Sequence, residues 1–135
     1  MERFFVANTG DFFITTLRKA HLEWGSYRHT STRGVVYGEG YLQVPRSEAK
    51  RIGIYNSNHP GQMNILTCSS ADGFLENVTV KAAGSMEAGD EYAKQLQGNG
   101  DLQLFGDWFN HINAQEGDRV KVTWITPTAI LIEKI

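Results

Sequence analysis

The sequence predicts a mostly β fold, a seven- to eight-stranded open pseudobarrel with two short α-helices, and three observations predict it. Short β-branched and aromatic segments recur along the chain, each bounded by Gly, Pro, Asn or Asp. Only two stretches carry apolar residues at helical spacing. No repeat, low-complexity run or linker divides the 135 residues, so they read as one domain.

In chain order, 3-RFFVA-7 and 11-DFFITTL-17 read as strands around the turn 8-NTGD-11. Next, 40-GYLQV-44 alternates like a strand with Leu42 and Val44 inward, and Pro45 ends its ladder because it has no N–H. The first helix is 46-RSEAKRI-52, with Gly53 placed for the left-handed turn that closes it. Its Ala49 and Ile52 can face a core while Arg46 and Lys50 share the outer side. Segments 64-NILTC-68 and 77-NVTVKA-82 pair across 70-SADG-73. The second helix spans 104-LFGDWFNHI-112, where Leu104, Trp108, Phe109 and Ile112 form an apolar stripe. Val120, Val122 and Trp124 share one face of a strand, 126-TPT-128 turns the chain, and 129-AILIEKI-135 returns.

Composition narrows the function. Hydrophobic residues at 41% and charged residues at 21% are those of a globular chain, not a disordered one. Apolar runs such as 129-AILI-132 are too short to cross a bilayer, and MERFFVANTG has no secretory core, so no membrane partner is expected. One cysteine, Cys68, fits a reducing cytoplasm. A net charge of −2 argues against a histone-like binder, yet residues 1–55 hold eight Lys/Arg against five Asp/Glu, and the remainder five against ten. Such asymmetry can mark a face for a polyanion.

Two pieces carry a more specific signal. One is 42-LQVPRSEAKRIGI-54, a strand, a proline and a short basic helix; the other is 106-GDWFNHINAQEGDRVKVTW-124, a helix, Gly-Asp, then an alternating strand. In AbrB-like regulators pieces comparable to 40-GYLQVPRSEAKRIGI-54 and 115-QEGDRVKVTW-124 lie a few residues apart, whereas about sixty residues intervene here. Their order and spacing over residues 25–135 resemble instead the B-three-type DNA-binding pseudobarrel of plant transcription factors and of the effector domains of EcoRII-like restriction endonucleases. The aromatic spacing of the second helix is compressed relative to that family's, and the N-terminal hairpin has no counterpart. The resemblance implies sequence-specific binding of double-stranded DNA, in a restriction or regulatory system, with a nuclease domain or subunit as a companion.

It also implies two loops that grip the major groove. The first, 27-YRHTSTRG-34, offers Arg28, His29, Thr30, Ser31, Thr32 and Arg33 without an acidic residue. Arg suits guanine O6/N7, and Ser or Thr can reach bases or phosphates. The second, 94-KQLQGNG-100, offers Lys94, Gln95, Gln97 and Asn99; the amides suit adenine N6/N7. Arg46 and Lys50, with Arg51 beside them, are candidate phosphate contacts. Each stretch also reads as an ordinary polar surface segment. Trp108, Phe109, Gly117 and Asp118 are assigned to core and turn, not to a site.

Catalysis has little to stand on. His21, His29, His59 and His111 are scattered and Cys68 has no partner at metal-ligand spacing, so neither metal nor other cofactor is expected. The 38-GEG-40 pair lacks the Lys-Ser/Thr of a phosphate loop. Glu116, Asp118 and Lys121 come nearest to a metal-dependent nuclease, which is the alternative function. A ligand- or protein-binding barrel is the other.

Overall fold

The computed structural model describes residues 7–27, 37–56, 64–84 and 91–135, leaving out the Tyr27 side chain. Among them seven strands form one sheet: β1 (Phe12–Thr16), β2 (Leu42–Gln43), β3 (Ile65–Ser70), β4 (Val78–Ala83), β5 (Gln95–Gly98), β6 (Arg119–Thr126) and β7 (Ala129–Lys134). Their order is β1-β6-β7-β3-β4-β5-β2, antiparallel throughout except for β3 beside β7. The sheet curls into a nearly closed barrel, bringing its end strands β1 and β2 towards each other.

Period-two burial builds the wall. Along β6 Val120, Val122 and Trp124 are buried between outward residues, and Ile130 and Ile132 of β7 meet them in the core. Leu42 and Val44 point inward as expected; β2 itself has two residues, and Val44 carries its register one step further by giving its N–H to the Lys94 carbonyl before Pro45 ends it. The turn at 8–11 is present: Asp11 N–H donates to the Asn8 carbonyl, and Asn8 N–H to the Asp11 carboxylate. Of the strand read over 3–7, residues 3–6 lie outside the described residues.

Four short helices accompany the sheet: α1 (Lys19–Leu22), α2 (Trp24–Tyr27), α3 (Arg46–Ile52) and α4 (Leu104–His111). The two expected helices are α3 and α4. Gly53 closes α3 at φ 89°, Ala49 and Ile52 enter the core, and Arg46 and Lys50 face solvent. Arg51 lies across the seam of the barrel: its guanidinium donates to the Phe12 carbonyl of β1 at 2.8 Å and pairs with Glu48.

The single turns α1 and α2 are additional. The sequence hides them because no Ser/Thr/Asp cap announces α1. Instead the Arg18 N–H donates to His21 Nδ1 at 3.1 Å, and the Lys19 N–H reaches the Glu116 carboxylate at 3.0 Å, 97 residues away. His21 is buried, and burial first, then the Arg18 charge, lowers its pKa, so the ring is held as the neutral acceptor this cap needs.

The β3–β4 connection is wider than the tight turn expected at 70–73, since β4 begins only at Val78. Asp72 accounts for this: one carboxylate oxygen accepts Ser70 Oγ–H and Phe74 N–H while Leu75 turns inward. Its other oxygen accepts the indole N–H of Trp108, which is 0% exposed, at 2.8 Å. The connection is thereby pinned onto α4. Among the described residues no helix is long and apolar enough to cross a membrane. Cys68 is buried, and burial pushes its thiol up to about 12.

Candidate nucleic-acid interface

Arg28, His29, Thr30, Ser31, Thr32 and Arg33 lie outside the described residues; the roots of their loop do not. Tyr37, 80% exposed, follows the loop, and its carbonyl accepts from Gln103 Nε2 at 3.1 Å. Gly40 N–H donates to the Leu102 carbonyl and Tyr41 N–H to that of His21. The loop exit is therefore stitched to the segment between β5 and α4.

The second expected loop is corrected: residues 95–98 are β5, inside the sheet between β4 and β2. Leu96 and Gly98 alternate inward, a period-two pattern that its Gln and Gly composition conceals. Gly98 has no room for a side chain, since an added Cβ would lie 1.9 Å from the Asp101 carbonyl oxygen. Gln95 and Gln97 point outward, half-buried, and Gln95 Nε2 donates to Gln97 Oε1 at 2.7 Å. Asn99 is exposed just beyond the strand, its N–H on the Thr79 carbonyl; Lys94 is exposed just before it.

Register sets the neighbours of these side chains. Gln43 of β2 and Ala83 of β4 flank Gln95, and Lys81 lies opposite Gln97. Thr79 stands two residues from Lys81 on the same face. The outward positions of β2, β4 and β5 are thus Gln43, Thr79, Lys81, Ala83, Gln95 and Gln97, without a carboxylate. Arg46 opens α3 two residues after the Val44–Lys94 hydrogen bond, and Lys50 follows one turn on. Gln95, Gln97 and Asn99 therefore lie along one line, and Lys94, exposed where the ladder ends, precedes it, with Arg46 and Lys50 beyond. Arg51 does not join them, because its donors are engaged by Glu48 and Phe12. Gln43, Thr79 and Lys81 had escaped sequence reasoning; only the pairing of strands distant in sequence puts them beside Gln95 and Gln97.

The connection from β4 to β5 is held at both roots by Asn56, which is 1% exposed. Its Oδ1 accepts the Gly84 N–H at 3.1 Å, and its own N–H donates to the Glu91 carbonyl at 2.7 Å. Asn56→Ala keeps the second bond and loses the first. It is expected to cost about 1–3 kcal/mol and to quicken amide exchange at Gly84, with Ala93 unaffected.

Other polar groups serve the fold. Asp118 accepts Gln115 N–H at 2.8 Å and Lys134 Nζ at 3.2 Å, bonds that hold its carboxyl below the usual range, and Glu116 caps α1. Among the described residues no three His, Cys, Asp or Glu side chains are grouped to hold a metal ion. A cavity of about 580 Å³ between α1, α2 and α4 is lined by Lys19, Glu23, Glu116, Tyr37 and Phe109, among others. Comparison with protein-family models and with curated proteins finds no match.

Proposed function

We propose that this chain is a double-stranded DNA-binding domain that sets the outer face of β2, β5 and β4 against the major groove. The observation that carries the reading is the acid-free row Gln43, Thr79, Lys81, Gln95 and Gln97, bordered by Lys94, Arg46 and Lys50. Amide and hydroxyl groups can exchange hydrogen bonds with base edges, and the ammonium groups supply the sequence-independent attraction to phosphate. A row of this kind on a rigid strand fixes the spacing of its donors better than a loop does. The resemblance to the B-three-type pseudobarrel supports the same partner and points to a restriction or regulatory role with the cutting chemistry left to another domain or subunit, and the single cysteine, Cys68, fits a cytoplasmic location.

Lys81→Gln combined with Lys94→Gln is the test. Affinity for duplexes of every sequence is expected to fall, and the log–log salt slope to become shallower by about 1.8, because each phosphate contact contributes roughly 0.9. Base preference should be unchanged, since phosphate contacts carry no sequence information. An unaltered salt slope would remove these lysines, and with them this face, from the interface.

A further inference from the structure

Granting duplex binding by this face, we propose that Gln95 and Gln97 act as one reading unit for adenine, so that the preferred site carries an A·T pair where they meet the groove. Residues two apart on a strand project from the same face, and here their amides are already joined at 2.7 Å. That bond engages one N–H of one amide and one lone pair of the other. Whichever way round the two amides are turned, this bond leaves the carbonyl oxygen of one and the NH2 of the other unused.

Adenine offers the complement in the major groove, an N6–H2 donor beside the N7 acceptor. Guanine places O6 where adenine has N6, which would set acceptor against the free amide carbonyl. Cytosine supplies only the donor and thymine only the acceptor, so each leaves half of the unit unmatched. The surroundings bring no carboxylate to the unit: Ala83 on one side of Gln95 is small, Lys81 opposite Gln97 has no acceptor to capture the NH2, and Gln43 on the other side of Gln95 adds a third amide to the same face. The mutual hydrogen bond also orders two flexible side chains before binding, which reduces the entropy lost on contact.

The experiment selects preferred sites from a randomised duplex library with the wild-type chain and with Gln95→Ala and Gln97→Ala. The wild type is expected to enrich one fixed adenine, and each variant to lose that preference by about tenfold while keeping preferences elsewhere in the site. Substituting 7-deazaadenine at that position, which removes N7, should weaken wild-type binding by about tenfold without any change to the protein. A preferred site with no fixed adenine, insensitivity to 7-deazaadenine, or adenine preference intact in both variants would overturn the inference and leave DNA binding standing. Failure of the wild type to bind any duplex would overturn the DNA-binding reading together with it.

Discussion

Gly106→Ala is expected to destabilise the fold by about 3 kcal/mol or more, lowering the melting temperature by roughly 10 °C. Gly106 lies in α4, where alanine would ordinarily be the better helix former by about 1 kcal/mol. Here the added Cβ would sit 1.8 Å from the Gly38 carbonyl oxygen and 2.7 Å from its carbon. Both are main-chain atoms, and the strand entry behind them is fixed by the Gly40–Leu102 hydrogen bond, so neither side can yield cheaply. Gly117→Ala is the control. Its Cβ would meet nothing within 4 Å, leaving only the strain of φ +95°, about 1–2 kcal/mol. Thermal melts of the two variants should therefore differ clearly. If they melt together, the approach of α4 to Gly38 is not as close as described.

Asp72→Ala is the second large effect. It strips the partner from an indole N–H on a fully buried Trp108 and releases the Ser70 hydroxyl and Phe74 N–H as well, at a cost of about 1–3 kcal/mol. Asp72→Asn retains a carbonyl oxygen and should lose less. The carboxylate also makes the latch acid-sensitive. Partial desolvation raises its pKa, but hydrogen bonds from Phe74, Ser70 and Trp108, with the charge of His111, outweigh that and leave it below the ordinary value. A pKa lower in the folded than in the unfolded chain gives stability that is present above the unfolded value of about 3.9 and is lost as pH falls through the folded one. The wild type should therefore lose stability below about pH 4, where Asp72→Asn shows a shallower decline in denaturant titrations.

What could be read from the sequence was local. Gly53 marks the end of α3, Pro45 the end of β2, and Val120, Val122 and Trp124 mark an inward face, because each signal lies within a few residues of its effect. What escaped was carried by distant partners. Glu116 caps α1, His21 replaces a conventional cap, and Asp72 reaches Trp108 from another element. The same holds for the candidate site: Gln95, Gln97, Asn99 and Lys94 were visible as a polar run. Their place in a strand depends on Leu96 and Gly98 packing inward, and the addition of Gln43, Thr79 and Lys81 depends on register.

The central claim is that the outer face of β2, β5 and β4 binds duplex DNA. A fluorescence-anisotropy titration of labelled duplex with the wild-type chain, at low and at physiological salt, tests it most directly. Saturable binding that weakens steeply as salt rises, and that Lys81→Gln with Lys94→Gln diminishes, is the expected result. No binding at low salt, or binding indifferent to both salt and these lysines, would contradict it.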